Sequence, residues 1–273
     1  MLTQVDVTNR RGNVLTLNME ENDTGYQVID IQGLGPVNAS LVGTSYAGVD
    51  GEQFQSSRRG TRNIIIKLEL DPDFNPDTYT TLRQRLYTFF MTKSEVSLLF
   101  HMTSGLTVGI KAYVEEISAP QFEQDPEVEI GLISFEPDFA DPQIVSIEGM
   151  SVDDNTFVPI NYAGSVESGT VLTLNVNRIL TDFTIYNMDE SGTLVQLDFS
   201  GELQSGDQLV VSSLTGSKGI TLTRDGISSS YLYGRSAQSG WIELFPGMNE
   251  FRVYANGDPI PYELEYVVRY GGL

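Results

Sequence analysis

The stretch that decides the fold opens with GLGP (33–36) and continues with SYAGVDGEQF (45–54) and RRGTRNIIIKLEL (58–70). Within it, residues 63–70 alternate apolar, mostly β-branched residues with polar ones, which is typical of a strand with one buried face. Three more strand-like segments follow a helical one: SEVSLLF (94–100), GIKAYVEEIS (109–118) and EVEIGLISFEPDF (127–139). The first half is therefore predicted to be β-rich with a single helix.

The one convincing helix is NPDTYTTLRQRLYTFFM (75–91). Asn75 is predicted to cap it, Pro76 suits the first helical position, and Asp77 complements the positive end of the helix dipole. Apolar residues recur at helical spacing and form one stripe, which we expect to pack across the sheet. The stripe consists of Tyr79, Leu82, Leu86, Phe89 and Phe90.

The second half shows no helical pattern after the proline-punctuated segment PDFADP (137–142). Short strand candidates recur about every ten residues and are separated by turn signals such as Asp225-Gly226 and Asn256-Gly257, as in a β-sandwich. We predict a mainly β protein with two domains, residues 1–142 and 143–273. A chain of 273 residues is long enough for both to bury a core.

Composition excludes several classes of function. The formal net charge is −21, with −11 before residue 143 and −10 after it, so neither half is a basic module for stable binding of nucleic acid or an anionic membrane. No apolar run approaches the roughly 18 residues of a membrane span, and the N-terminus lacks a signal-peptide pattern. The chain has no cysteine, which excludes disulfides and thiolate metal sites.

Residues capable of catalysis are scarce. His101 is the only histidine, so a zinc site or a Ser-His-Asp triad has little support. Neighbouring acids such as Glu115 and Glu116 point to opposite faces of a strand and cannot form the facing pair that glycoside hydrolysis needs. We predict no catalytic residue, no metal ligand, no cofactor and no enzymatic activity.

Three arginines, Arg58, Arg59 and Arg62, cluster just before the clearest strand of an otherwise acidic chain. One interpretation is a solvated strand entry. The other is a contact with acidic groups of a neighbouring subunit, for which the planar guanidinium is well suited. We favour the interface interpretation.

The segment SGWIELFPGMNEFRVYANG (239–257) contains the pattern W-x-x-L-x-P-G-x-N. Trp241 and Leu244 are predicted to anchor a core, Pro246-Gly247 to form a tight turn, and Asn249 to hold the turn backbone.

Residues 33–141 resemble the N-terminal domain of the distal tail protein (Dit) of siphophage-type bacteriophages, and the pattern around Trp241 resembles the turn of Dit second domains. The resemblance implies a ring-forming N-terminal domain and a galectin-like C-terminal β-sandwich. It also places residues 46–63 where the ring-forming domain presents an extended loop or hairpin. Of the sugar-binding set of galectins, only Trp241 and Glu243 have counterparts, at altered spacing.

The resemblance further implies a structural virion protein of the baseplate at the distal end of the tail, assembled in the host cytoplasm. Six copies would form a ring that joins the tail tube protein above to a tail hub or fibre protein below. DNA would pass through the lumen without stable binding, and no membrane insertion is implied.

Two other functions remain open. The second domain could be a carbohydrate-binding adhesin that stacks host glycans on Tyr231, Tyr233 and Trp241, although these side chains also suit a core. A cell-wall hydrolase is a third class, for which the sequence offers no nucleophile or acid pair.

Overall fold

The computed structural model describes residues 1–20, 24–48, 50–71, 78–120 and 127–273. The chain divides into two compact units, residues 1–142 with 270–273, and residues 143–269. The predicted boundary assigned the last four residues to the second domain. They belong to the first unit, where the Leu273 amide donates to the Leu34 carbonyl at 2.9 Å.

The described part of the first unit contains one helix, and strand β10 begins in it. Its elements are β1 (Leu2–Asn9), β2 (Val14–Asn18), β3 (Tyr26–Gln32), β4 (Ala39–Thr44), β5 (Gln53–Arg59), β6 (Arg62–Leu70), α1 (Tyr79–Phe89), β7 (Glu95–Met102), β8 (Thr107–Ser118), β9 (Glu127–Ser134) and β10 (Phe139–Met150). Antiparallel pairing gives the order β2-β1-β7-β8-β9-β6-β3. The end strands β2 and β3 approach each other, which curls the sheet around the core.

The core of this unit lies between the sheet and the helix. In β6, Ile64, Ile66 and Leu68 are fully buried and alternate with partly exposed residues, which confirms the predicted strand. Helix α1 packs on β1 and β6. Its apolar stripe is buried as predicted except at Tyr79, the first helical residue, which is exposed.

The helix begins later than the sequence predicts. Thr78 is its N-cap, and the Thr78 hydroxyl accepts a hydrogen bond from the Thr81 amide at 3.3 Å. Such a cap satisfies one of the amides that a helix N-terminus leaves without an internal partner. The predicted cap Asn75, with Pro76 and Asp77, lies outside the described residues.

The second unit is all β apart from a 3₁₀ turn at Leu232–Gly234. Its strands are β11 (Val158–Tyr162), β12 (Ser168–Asn175), β13 (Leu180–Asp189), β14 (Leu194–Leu203), β15 (Gln208–Ser212), β16 (Gly219–Arg224), β17 (Ile227–Ser230), β18 (Glu243–Leu244), β19 (Gly247–Tyr254) and β20 (Pro261–Tyr270). One sheet has the order β17-β16-β15-β12-β20 and continues into β10, and the other has the order β11-β19-β13-β14. The mainly β fold, with a β-sandwich in the second half, is confirmed.

Candidate functional site

Strands β4 and β5 form a two-stranded hairpin that makes no ladder with another described strand. Every residue in both strands is exposed, including Leu41 at 71% and Phe54 at 64%. An isolated two-stranded hairpin is marginally stable in water, because it buries too little apolar surface to offset the entropy lost on ordering the chain. A hairpin with large exposed apolar side chains is therefore a candidate contact surface.

The register of the hairpin places its largest apolar side chains on one face. Leu41 pairs with Ser57 and Gly43 pairs with Phe54, with a bulge beside this second pair. Residues two apart in a strand, and residues directly opposite across a pair, share a face. Leu41 and Phe54 therefore lie on the same face, which we call the apolar hairpin face. Val42 lies on the opposite face.

The three predicted interface arginines occupy different environments. Arg58 is exposed in β5. Arg59 ends that strand, and its side chain, about one-third exposed, forms an ion pair with Asp138 of its own chain. Arg62 is only 1% exposed. The structure therefore leaves Arg58 and Arg59 on the exposed hairpin and places Arg62 inside the unit.

Arg62 lies inside the first unit and binds backbone carbonyls from three segments. Its Nε donates to the Pro137 carbonyl at 2.6 Å, Nη1 to that of Gly35 at 2.7 Å, and Nη2 to that of Gly271 at 2.7 Å. Nη1 also donates to the Gly33 carbonyl at 2.5 Å. These donors are used within the unit, so the structure gives Arg62 a role inside its own chain, and the interface assignment of the cluster stays a prediction that rests on Arg58 and Arg59.

The same arrangement explains the GLGP motif. Gly33 has φ +85°, and a Cβ at this position would lie 1.8 Å from the Asn63 carbonyl oxygen, so only glycine fits. The turn aims its carbonyls at the Arg62 guanidinium, which also lies 4.3 Å above the Phe139 ring. Burial lowers the pKa of Arg62 from its ordinary value, although nearby Asp138 opposes the shift.

The imidazole of His101 contacts Asp6 and Thr107 on neighbouring strands of the first unit. Its Nε2 lies 2.9 Å from an oxygen of Asp6, and its Nδ1 lies 3.3 Å from the Thr107 hydroxyl. Partial burial would raise the pKa of Asp6, but hydrogen bonds from Thr16, Gln4 and His101 outweigh burial and lower it. Within the described ranges, no group of three or more His, Cys, Asp or Glu side chains could hold a metal ion.

The proposed glycan-stacking residues are only partly brought together. The Tyr231 ring stacks on Phe199 with 5.5 Å between centroids, and the Tyr233 ring lies 4.5 Å from Tyr231. Tyr233 is 77% exposed. Trp241 instead contacts the guanidinium of Arg235, which lies 4.7 Å from the indole.

The turn after Trp241 is held by Asn249, which is fully buried. Its Oδ1 accepts from the Phe245 amide at 2.9 Å, and its Nδ2 donates to the Phe245 and Gly247 carbonyls at 2.7 and 3.1 Å. Gly247 has φ +94°, a value that favours glycine. Leu244 is fully buried, whereas Trp241 is only half-buried.

In the part of the chain that the structure describes, no helix has the length and apolarity that crossing a membrane requires.

Known proteins resemble this chain in sequence over part of its second half and in fold over nearly its whole length. Residues 163–270 match the family model described as siphovirus-type tail component, C-terminal domain. No curated protein sequence matches the chain at a significant level.

Among solved structures, the Dit protein of phage SPP1 shares the fold. Its TM-score is 0.66 at 15% identity, over 97% of this chain and 98% of that one. Chains of the phage P2 baseplate in its activated conformation, with Ca or with Sr, align over 99% or more of both chains at 9% and 10% identity. Their TM-scores are 0.47 and 0.45. Residues 163–270 thus match the C-terminal domain of siphovirus-type tail components, and the whole chain shares the fold of the SPP1 Dit protein.

Proposed function

We propose that this chain is a structural subunit at the distal end of a siphophage-type tail. Copies of its first unit associate into a closed ring, and the second unit is an appended galectin-like sandwich. The ring, of six copies by analogy with distal tail proteins, joins the tail tube to a hub or fibre protein. The subunit acts by assembly and not by catalysis, in the virion.

The observation that carries this proposal is the exposed hairpin of the first unit. Burying a leucine or phenylalanine side chain stabilises a complex by about 1.5–3 kcal/mol. A neighbouring copy that covers the apolar hairpin face would supply the burial that strands β4 and β5 lack within their own chain. A closed cyclic ring is built from contacts in which one surface of each copy meets a different surface of the next.

The acidic charge is compatible with this role. With a net charge of −21, a ring of this chain would repel DNA passing through its lumen, which would keep the polyanion from adhering.

A charge on the apolar hairpin face is expected to abolish self-association. The variant carrying Leu41→Asp and Phe54→Asp should be a folded monomer, because both side chains are exposed in the single chain and each aspartate would place an unpaired charge in the contact. Each substitution should weaken association about 30-fold or more, as at interface hot spots. Mass measurement by light scattering over a concentration series, together with incorporation into tails, tests this.

The matched control is Val42→Asp, on the opposite face of the same hairpin. It adds one aspartate beside Leu41 in β4 and should leave assembly intact. If the double variant assembles like the unaltered chain, the hairpin is not the contact.

A second candidate function is glycan binding by the second unit. It is favoured by the exposed Tyr233 ring, which rests against the Phe199–Tyr231 stack and offers an open face to a sugar. If the chain is an adhesin, Tyr233→Ala should remove binding on a glycan array without changing the melting temperature. Trp241→Phe, at the residue that faces Arg235, is the comparison variant. An array on which the unaltered chain binds nothing would rule this function out.

A further inference from the structure

A groove of about 610 Å³ crosses the outer surface of β7 and β8 in the first unit. Its floor includes Leu99 and Gly109, which are paired neighbours in the two strands. One wall is aromatic: the rings of Tyr113 and Phe135 meet edge to face with 5.7 Å between centroids. Phe135 is 69% exposed, so a large apolar surface faces solvent beside the groove.

The lining of the groove is acidic as well as apolar. Glu95, Glu136, Asp138 and Asp141 line it, against Lys111; Asp138 is paired with Arg59 of its own chain, which leaves three other acids against one base. Strands β4 and β5 contain Arg58 and Arg59 and no acidic residue, whereas the loop that joins them carries Asp50 and Glu52. Since Arg59 is already paired with Asp138, Arg58 is the base that the hairpin strands can offer to a second copy. In a chain with a net charge of −21, two copies repel each other, so a contact forms most readily where opposite charges meet. The hairpin strands and the groove are such a pair.

We infer that the groove receives the hairpin of a second copy of this chain. Leu41 and Phe54 of one copy would lie on the floor and the aromatic wall of the next, and Arg58 would face the acidic lining. The hairpin does not fill the groove of its own chain, because both apolar side chains remain exposed there. This inference rests on the proposed ring and specifies which two surfaces meet in it.

The contact joins two different surfaces, which is the kind that propagates into a ring. Each copy offers one hairpin and one groove, so every copy in a closed ring would have both surfaces occupied. A contact between two hairpins would stop at a dimer. A variant with an intact hairpin and a blocked groove distinguishes the two arrangements. It should not associate with itself if the hairpin binds the groove, and it should still form dimers if two hairpins bind each other.

The test uses three full-length variants and their mixture. Phe54→Asp removes the hairpin contact. Phe135→Asp places a charge on the aromatic wall, and Gly109→Leu fills the floor. A Cβ at Gly109 would meet its nearest neighbours at 3.6 Å, an ordinary contact, so the second groove variant is expected to fold. Each variant alone should associate about 30-fold more weakly than the unaltered chain, or not at all.

An equimolar mixture of Phe54→Asp and Phe135→Asp should form one-to-one dimers and nothing larger, because the two variants together retain one intact hairpin and one intact groove. If both groove variants assemble like the unaltered chain while Phe54→Asp does not, the groove inference is overturned and the hairpin ring stands. If Phe54→Asp itself assembles normally, the proposed ring contact fails.

Association too weak for light scattering can be trapped covalently. The chain has no cysteine, so Phe54→Cys and Phe135→Cys can be introduced together without competing thiols. Oxidation should give a ladder of cross-linked multimers from the double variant and at most dimers from either single variant. The absence of a ladder beyond dimers would overturn the inference.

Discussion

Replacement of Arg62 by methionine is expected to lower the free energy of unfolding of the first unit by about 2–4 kcal/mol. Methionine retains an apolar stem but no donor, and the carbonyls of Gly33, Gly35, Pro137 and Gly271 all lose a hydrogen bond. A hydrogen bond to a charged group contributes about 1.5–3 kcal/mol, but Gly33 and Gly35 are exposed residues, so water replaces part of what their carbonyls lose. Removing the buried guanidinium also removes its desolvation cost, so the expected total lies well below the sum of four such bonds.

The effect should be localised by hydrogen exchange measured along the whole chain. We expect the largest loss of protection in residues 33–36 and 270–273, because Arg62 joins the GLGP turn to the C-terminal residues. Arg62→Lys should be intermediate, since an ammonium has three donors for four carbonyls and lacks the planar fork.

Arg58→Met is the matched control for Arg62→Met. It makes the same substitution four residues earlier at an exposed position, where the change should stay within about 0.5 kcal/mol. If Arg62→Met unfolds at the same denaturant concentration as Arg58→Met, the guanidinium does not hold the turn and the C-terminal residues together.

The burial of Arg62 could have been read from the sequence in part. Ile64, Ile66 and Leu68 face the core, and period two along the same strand places Arg62 on that face. The identity of its partners was not accessible in this way. They lie 27, 29, 75 and 209 residues away along the chain, and no local pattern predicts which carbonyls converge on one guanidinium.

Local patterns succeeded where the signal was local. The strand β6, the buried stripe of α1 and the turn at Gly247 each follow from the spacing of neighbouring residues. The hairpin gave no such signal, because a strand without a buried face has no reason to alternate. Leu41 and Val42 are adjacent apolar residues and both are exposed. The groove is formed by strands and a loop that are distant in sequence, so periodicity could not predict it.

Replacement of Asn249 by alanine is expected to destabilise the second unit by about 3–5 kcal/mol. The side chain is fully buried and takes part in hydrogen bonds to Phe245, Gly247 and Asn187, the last at 3.0 Å. Alanine would leave the Phe245 amide and two carbonyls without this partner, and each unmet buried group costs about 1–3 kcal/mol. It would also leave a cavity where the amide had packed.

The single tryptophan gives a direct measurement, since Trp241 lies a few residues before this turn. Its fluorescence during urea unfolding should show an earlier midpoint for Asn249→Ala. Glu250→Ala, at the exposed neighbouring position, should leave the midpoint nearly unchanged.

Asn249→Asp tests the amide donors separately from the accepting oxygen, because a carboxylate keeps the acceptor and has neither donor. Since this change also buries a charge, it should destabilise at least as strongly as alanine. An aspartate variant as stable as the unaltered chain would mean that the amide donors contribute nothing and that the accepting oxygen suffices to hold the turn.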